Sequence, residues 1–292
     1  MKILITGGKG QLGQDCQARM EVSHQVQALS SRDLDITDAT QVVAALADNT
    51  PDLVINCAAY TKVDLCEEET EQCQAVNAVG PGILADACGK IGARLIHIST
   101  DYVFDGMRPA PEPYTEDDPT GPLSAYGRAK LAGEEAVLSR LPHALVVRTA
   151  WLYGMGGPNF LKTILRLAVA DSGRTLKIVD DQHGSLTWTA TLAEQLLALA
   201  ESELTGIVHA TAEGVCTWYE GASEFLRLMD VPADLVPCES SEYPTPAHRP
   251  ANSILENTRL KEAGLNRMRP WQEDLRDFVR ANKKQLLEEA RG

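Results

Sequence analysis

The 292-residue sequence lacks any long apolar run and any excess of basic residues, and each absence excludes a class of protein. No apolar run reaches the roughly 20 residues that a membrane-spanning helix needs. Met1-Lys2 leads directly into a strand-like segment, so we expect neither a signal peptide nor a membrane partner. Lysine and arginine number 27 against 41 acidic residues, which gives a net charge of −14. Because counterion release on a nucleic acid requires basic residues, we expect no nucleic-acid partner.

Metal-ligand and disulfide patterns are also missing. The seven cysteines are odd in number and include no C-x-x-C pair, which favours reduced thiols over a disulfide framework or a zinc site. His183 and His248 stand in loop-like segments without metal-ligand spacing. We therefore predict a cytoplasmic protein with no metal site.

Strand-like runs alternate with helical patterns through the first half of the chain. The runs lie at 2–6, 25–29, 51–56, 94–98 and 143–148, and one long helix is predicted from Asp64 to Lys90. This alternation predicts an α/β fold with a doubly wound, Rossmann-like parallel sheet. We expect residues 1–150 to form a dinucleotide-binding domain. Residues 151–292 are expected to form a smaller C-terminal substrate-binding part that returns to pack on the sheet.

A glycine-rich turn follows the first strand. Gly7, Gly10 and Gly13 have the spacing G-x-x-G-x-x-G and stand between a strand and a helical pattern, which is the context of a dinucleotide-binding loop. Glycines permit a tight turn and let backbone N–H groups approach a pyrophosphate at the helix N-terminus. The small pair Ala58-Ala59 after the third strand would also let a cofactor approach the backbone, although simple packing explains it equally well.

The end of the second strand bears on which dinucleotide binds. Ser30, Ser31 and Arg32 stand where an NAD-specific enzyme often has a carboxylate for the ribose hydroxyl. Small residues and an arginine suit the 2′-phosphate of NADP better, so NADPH is the predicted cofactor. Asp33 and Asp35 lie nearby and leave NADH open.

The stretch from Ser99 to Lys130 contains the predicted proton-transfer residues. If Ser124 starts a helix, Tyr126 and Lys130 lie four residues apart on one helical face. An ammonium beside a phenol favours phenolate and lowers the tyrosine pKa, which makes the two a proton-transfer pair. The preceding strand delivers Thr100 and Asp101 at its carboxyl end, where ligands bind in open parallel sheets.

Eight motifs in this order resemble the extended short-chain dehydrogenase/reductase family over essentially the whole chain. They are GGKGQLG (7–13), LDITD (34–38), STDYVFDG (99–106), YGRAK (126–130), RTAWLYG (148–154), GPNF (157–160), DQHG (181–184) and RPANSIL (249–255). Each motif alone is weak, and the ordered set is highly specific. One departure is Leu186, which stands where the family usually has proline and removes no chemical group.

The resemblance implies NADPH-dependent reduction of the C4 ketone of a dTDP-4-keto-6-deoxy sugar, with the 4-keto-rhamnose derivative as the expected substrate. Tyr126 would donate the proton to the developing alkoxide. Lys130 would lower the pKa of Tyr126 and hydrogen-bond the nicotinamide ribose. Thr100 would hydrogen-bond the carbonyl oxygen. Ser99 is its neighbour on the strand, and only one of the two can face the substrate.

The same resemblance assigns binding residues. The implied cofactor contacts are Gly7, Gly10, Gln11, Leu12, Gly13, Ser30, Arg32, Asp35, Ile36, Ala58, Ala59, Tyr60, Thr61, Tyr126 and Lys130. The implied substrate contacts are Thr100, Asp101, Tyr126, Trp151, Asn159 and Arg249. For Arg249, a cation for the substrate pyrophosphate and a structural ion pair are equally consistent with the sequence.

Four other functions use similar residues, and one of them, an epimerase that keeps its cofactor bound, does not match the overall set of motifs. Nucleotide-sugar 4,6-dehydratases carry T-D-E-V-Y-G, whereas Tyr102 replaces that glutamate here, so elimination chemistry lacks its base. A non-catalytic NADP-binding regulatory subunit on the same fold, and a reductase of a different nucleotide 4-keto sugar, stay open. The sequence also leaves a homodimer open.

Overall fold

The structure is a computed structural model that describes residues 1–171 and 173–292. Its strands are β1 (Lys2–Thr6), β2 (Gln25–Leu29), β3 (Leu53–Asn56), β4 (Arg94–Thr100), β5 (Leu145–Thr149), β6 (Leu152–Tyr153), β7 (Thr175–Val179), β8 (His183–Gly184), β9 (Thr187–Trp188), β10 (Gly206–His209), β11 (Cys216–Thr217) and β12 (Asp234–Cys238). Its α-helices are α1 (Gln11–Met20), α2 (Ala39–Asn49), α3 (Thr70–Gln74), α4 (Gly80–Ile91), α5 (Ala125–Arg140), α6 (Phe160–Ala170), α7 (Thr189–Ala200), α8 (Trp218–Met229), α9 (Thr258–Glu262) and α10 (Trp271–Arg291).

Six strands form one parallel sheet in the order β2-β1-β3-β4-β5-β10. After β2 is added on one side of β1, the chain crosses to the other side and continues outward from β3. This reversal is the topological switch of a doubly wound sheet, at which ligands bind beyond the carboxyl ends of the strands. The predicted fold class is confirmed.

Helices cover both faces of the sheet because successive strand residues point to opposite sides. Ile3 and Ile5 of β1 pack in the core beneath α1 and α7. Leu4, between them, packs on the other side with Val42 of α2, Leu84 of α4 and residues of α5. Near-continuous apolar runs such as that of β1 are therefore required, since both faces of each central strand are buried.

The second half of the chain contributes an outer strand to this sheet. β10 pairs in parallel with β5, placing His209 opposite Arg148, and α7 packs beside α1. The remaining helices α6, α8 and α10 surround a separate core that includes Leu161, Phe225 and Phe278. Residues 189–209 lie beyond the predicted boundary at residue 150, and they add α7 and β10 to the main sheet. The division of the chain at residue 150 stays a prediction.

The predicted continuous helix from Asp64 to Lys90 is wrong. A 3₁₀ turn (Leu65–Glu67), α3, a π-helical turn (Ala75–Val79) and α4 occupy this region. Within the π turn, the Asn77 side chain accepts a bond from Tyr60 N (2.9 Å) and donates one to Tyr60 O (3.0 Å). The wide turn thus places an amide that fixes the loop after β3, and such turns are frequent at functional sites.

A buried ion pair fastens α5 to the sheet. The Glu134 carboxylate accepts bonds from Arg148 Nη2 (2.7 Å) and from Ser99 Oγ (2.5 Å). The Glu134 and Arg148 side chains are 2% and 3% exposed. Since Ser99 belongs to β4 and Arg148 to β5, one carboxylate connects the helix to two adjacent strands.

A helix that crosses a bilayer needs about 20 consecutive apolar residues. Within residues 1–171 and 173–292, no helix combines the length and the apolar character that crossing a membrane requires.

Replacing Glu134 by alanine should destabilise the fold strongly. The substitution leaves the buried Arg148 guanidinium without its partner, and we expect the free energy of unfolding to fall by about 3–5 kcal/mol. Urea denaturation of Glu134→Ala measures this loss. As a control, Asp86→Ala removes the exposed pair with Arg140 (3.3 Å) and should cost less than about 1 kcal/mol. Equal losses in the two variants would contradict the role given to Glu134.

Candidate active site

A cleft of about 1850 Å³ lies along the carboxyl edge of the sheet and is bordered by both halves of the chain. Every residue that the sequence assigned to the site borders it, with the exception of Tyr60. The Tyr60 phenol instead donates a hydrogen bond to Glu69, and Asn77 holds the Tyr60 backbone. The structure therefore gives the Tyr60 side chain no place in the cleft.

The glycine loop is closely packed at one end of the cleft. Gly7 has a positive φ of 68°, which a side chain would strain. At Gly13, an added Cβ would lie 2.3 Å from Gly7 O. Gly10 is the N-cap of α1 and donates its N–H to Gly7 O (2.9 Å). The first turn of α1, with Gln11 and Leu12, is thereby presented to the cleft, and a helix N-terminus favours an anion.

A fixed carboxylate in the loop after β2 lies near two cations, Arg32 of the same loop and Lys9 of the glycine turn after β1. Asp33 Oδ2 accepts bonds from Ser30 Oγ (2.6 Å) and Ser30 N (2.9 Å). These bonds, aided by the charges of Lys9 and Arg32, hold the pKa of Asp33 below its usual value. Lys9 and Arg32 border the cleft, and neither forms an ion pair within the described part of the chain. Asp33 is turned toward Ser30, so the two cations are available to an anion.

The next residues along the chain define the wall of this end of the cleft. Asp35 Oδ1 accepts bonds from Thr37 N (2.9 Å) and Thr37 Oγ1 (2.8 Å). Ile36 is buried, and an added Cβ on Gly80 would lie 2.8 Å from its Cδ1 atom. Ala58, Ala59 and Thr61 border the cleft from the end of β3.

The helix that carries Tyr126 and Lys130 begins as predicted. Ser124 is its N-cap, with Oγ accepting a bond from Gly127 N (3.1 Å). Tyr126 and Lys130 are both buried and both border the cleft. Lys130 Nζ donates to the carbonyl oxygen of Ile98 (2.6 Å), and burial lowers the pKa of Lys130 to about 8.

The predicted lowering of the Tyr126 pKa by Lys130 is wrong for this structure. Burial and the nearby Asp101 carboxylate raise the pKa of Tyr126 above its ordinary value, and only the Thr100 hydroxyl opposes them. The physical reason is that the Lys130 ammonium is directed to a backbone carbonyl while the phenol is enclosed by protein. Tyr126 is consequently held in its protonated form.

The two neighbouring hydroxyls at the end of β4 both border the cleft, but they have different hydrogen-bond partners. Ser99 Oγ is committed to Glu134. Thr100 Oγ1 donates to Asp101 Oδ1 (2.9 Å) and lies by the Tyr126 phenol. Asp101 is buried, which raises its pKa to about 6. The choice of Thr100 over Ser99 agrees with these contacts.

Arg249 bridges the two halves of the chain across the cleft. Its Nη2 atom pairs with Asp64 Oδ2 (2.7 Å), and its Nη1 atom donates to Tyr102 OH (3.1 Å). Tyr102 packs edge-on against Tyr126, with ring centroids 5.5 Å apart. The ion pair that the sequence left open is therefore formed, and the same guanidinium borders the cleft.

Asn159 links the glycine loop to the start of α6. Its Oδ1 atom accepts a bond from Lys162 N (3.0 Å) and caps α6. Its Nδ2 atom donates to Gln11 Oε1 and to Gly154 O, each at 2.9 Å. Both amide hydrogens are thus used within the protein, and the contact of Asn159 with the substrate stays a prediction.

Three residues that matter for the site were not predicted from the sequence. Glu134 lies four residues after Lys130, so the helical periodicity that linked Tyr126 to Lys130 could have revealed it. Asp64, the partner of Arg249, lies 185 residues away in sequence and had no local signal. Trp218 stacks on Trp151 with ring centroids 3.6 Å apart. The two tryptophans are 67 residues apart in sequence, so no local pattern indicated their contact.

A glycine loop and a buried Tyr126–Lys130 helix on one cleft of a doubly wound sheet define a Rossmann-like oxidoreductase. The chain belongs to the family described as the RmlD substrate binding domain, whose model matches residues 1–284. The family resemblance and the oxidoreductase class expected from the sequence are thereby confirmed.

Individual relatives are similar along nearly the whole chain. The dTDP-4-dehydrorhamnose reductase of Streptomyces griseus is 46% identical over 92% of this chain and 90% of its own. A probable dTDP-4,6-dihydroxy-2-methyloxan-3-one 4-ketoreductase of Streptomyces antibioticus is 43% identical over 95% and 94%. The crystal structure of dTDP-4-dehydrorhamnose reductase from Bacillus anthracis in complex with NADP has a TM-score of 0.92 and 36% identity, covering 96% of this chain and 99% of that one.

Replacing Gly13 by alanine should weaken dinucleotide binding. The new Cβ would lie 2.3 Å from Gly7 O, so the loop must open and the Kd for NADPH should rise by about tenfold or more. Fluorescence titration measures the Kd. Gly89→Ala is the matched control, because its Cβ would meet only Leu141 Cδ1, at 3.6 Å. An unchanged Kd in Gly13→Ala would show that close packing of the loop is not needed for binding.

Proposed function

We propose that the protein catalyses the NADPH-dependent reduction of the C4 ketone of a dTDP-4-dehydro-6-deoxy sugar, with dTDP-4-dehydro-L-rhamnose as the substrate. The observation that carries this proposal is the meeting of Thr100, Tyr126 and Lys130 in one cleft, between a glycine loop and the second half of the chain. Relatives named as reductases of this sugar support the choice of substrate.

The residues at the first end of the cleft fit an NADPH molecule. Gly7 and Gly13 leave room for close approach of a pyrophosphate to the start of α1. Lys9 and Arg32 would hold the 2′-phosphate, since both are cations without a carboxylate partner among the described residues. Bound at these residues, NADPH supplies the hydride for C4 of the sugar. Lys130 would hydrogen-bond its nicotinamide ribose.

Tyr126 and Thr100 would act on the sugar ketone. A reduction needs a proton donor beside the carbonyl oxygen, and the Tyr126 phenol, which carries its proton at neutral pH, is buried at that position in the cleft. Thr100 would turn its hydroxyl from Asp101 to the same oxygen and donate a second hydrogen bond, which stabilises the negative charge that develops there. The tyrosine thus acts as general acid in its resting protonation state.

The substrate would extend from this point into the second half. Trp151 and Asp101 border the cleft next to Thr100 and would face the sugar. An arginine has five N–H donors, and Arg249 uses two of them on Asp64 and Tyr102. The remaining donors would reach the pyrophosphate of the nucleotide sugar while the ion pair persists.

Two further parts of the proposal concern substrate and location. The ketoreductase relative from Streptomyces antibioticus acts on a different dTDP sugar, which makes that sugar class the second candidate substrate. We also infer a cytoplasmic location, because all seven cysteines are free thiols and six of them are buried.

Replacing Tyr126 by phenylalanine tests the proposed function directly. Loss of the general acid should lower kcat/KM for dTDP-4-dehydro-L-rhamnose by roughly 10²–10⁴-fold. Loss of NADPH absorbance measures the rate. Tyr114→Phe is the matched control, since the Tyr114 hydroxyl donates to Asp105 (2.6 Å) outside the cleft, and we expect it to keep wild-type kinetics. A wild-type protein that oxidises no NADPH with this sugar would instead support the regulatory-subunit alternative.

Replacing Arg32 by alanine tests the cofactor assignment. The KM for NADPH should rise by about tenfold, because one charge-assisted bond to the 2′-phosphate is lost. The KM for NADH, which lacks that phosphate, should stay within about twofold of the wild-type value. Steady-state kinetics with each cofactor at saturating sugar give both values. A KM for NADPH that does not change would overturn the assignment of Arg32.

A further inference from the structure

Three aromatic rings border the cleft on the side of the second half of the chain. Trp151 and Trp218 stack with ring centroids 3.6 Å apart and planes 12° apart. Phe160, the first residue of α6, lies against Trp218 at 4.6 Å with a tilt of 58°. We call these three residues the aromatic shelf. They come from three separate segments of the chain, so their contact depends on the tertiary fold.

Trp151 joins this shelf to the reacting groups. It follows Thr149 by two residues, and Thr149 is the register partner of Thr100 in the β4–β5 pairing. Trp151 also has a positive φ of 51°, which is a strained conformation for a bulky side chain. Strain of this kind persists only where the surrounding structure enforces it.

Two contacts enforce the position of the Trp151 ring. On one side, an added Cβ on Gly184 would lie 2.5 Å from Trp151 Cε2, so the ring occupies space that only glycine leaves free. On the other side, the Trp218 ring lies parallel to it. The Trp151 ring is therefore confined by Gly184 of β8 and Trp218 of α8.

Trp218 has an anchor of its own. Its Nε1 atom donates to Gln182 Oε1 (3.1 Å), and Gln182 Nε2 donates to Ser240 Oγ (2.9 Å). Thr217, the N-cap of α8, closes a capping box with Glu220 immediately beside Trp218. The ring that supports Trp151 is thus fixed by a helix start and by a side-chain hydrogen bond.

We propose that Trp218 is a positioning residue for the nucleotide sugar. By stacking on Trp151, it holds that ring in the strained conformation beside Thr100, where the sugar must be oriented toward Tyr126. This inference rests on the proposed function. Without the Trp218 ring, Trp151 relaxes, and the sugar binds more weakly and less well oriented. The glycine loop belongs to the first half of the chain and none of its residues stacks on the shelf, so we expect the affinity for the cofactor to change little.

Titration of Trp218→Ala with dTDP-L-rhamnose and, separately, with NADP⁺ tests this inference in the full-length protein. We expect the Kd for dTDP-L-rhamnose to rise roughly tenfold and the Kd for NADP⁺ to stay within about twofold of wild type. Stacked indoles produce an exciton-coupled circular dichroism signal in the far ultraviolet, and that signal should disappear. Trp218→Phe should recover most of the affinity, because a phenyl ring can still stack on Trp151. Should Trp218→Ala not fold, Gln182→Ala keeps both rings, removes the anchor and should weaken dTDP-L-rhamnose binding by several-fold.

An unchanged Kd for dTDP-L-rhamnose in a Trp218→Ala protein that has lost the exciton signal would overturn the inference. Equal rises in both Kd values would also overturn it, since they indicate a general loss of structure. Failure of the proposed function is a separate result: it appears as wild-type protein that does not oxidise NADPH with dTDP-4-dehydro-L-rhamnose. The two titrations and the exciton signal need no turnover, so they distinguish the cases.

Discussion

The buried bond between Glu134 and Arg148 is the constraint on which the geometry of the site depends. Tyr126, Lys130 and Glu134 follow one another at intervals of four residues along one face of α5. Because Glu134 binds Ser99 of β4 and Arg148 of β5, the rotation and the height of that face are fixed relative to both strands. A buried ion pair adds little net stability over apolar packing, but it restricts the helix to one register. Thr100, the last residue of β4, and Trp151, two residues after β5, are positioned by the same contact.

Two polar bridges at the cleft add to the β5–β10 pairing and the α1–α7 packing that hold the second half of the chain to this frame. Asn159 connects Gln11 of the glycine loop to the start of α6, and Arg249 connects Asp64 to Tyr102. Both bridges end at residues that border the cleft. Since each bridge joins the halves at the cleft itself, a shift of one half would move groups at both its cofactor end and its substrate end. The shape of the cleft is accordingly a property of the whole chain.

The sequence predicted those features that depend on local spacing. Strand runs, the Gly7–Gly13 turn and the four-residue interval between Tyr126 and Lys130 are short-range patterns, and the structure has each of them. The helix after Asp64 was predicted differently because it depends on a π turn, and the contacts of Asn159 and Tyr60 were not predicted because their hydrogen-bond partners are distant in sequence. The pKa of Tyr126 was predicted in the wrong direction for a related reason. The helical spacing predicts only that the Lys130 ammonium lies near Tyr126. The burial that raises the pKa of Tyr126 depends on all the elements packed around its phenol, which the spacing does not show.

The surroundings of Tyr126 favour reduction over elimination. A buried phenol with a raised pKa retains its proton, and a ketone that accepts hydride needs such a donor. Elimination would instead need a carboxylate base where Tyr102 stands. Burial raises the pKa of Tyr102 as well, and its oxygen already accepts a bond from Arg249, so it offers no base at neutral pH. Asp101 is the remaining carboxyl group nearby, and one of its oxygens is taken by the Thr100 hydroxyl. Two protonated tyrosines and a hydrogen-bonded threonine thus surround the reacting position in the proposed mechanism, and they supply protons without a strong base to remove one.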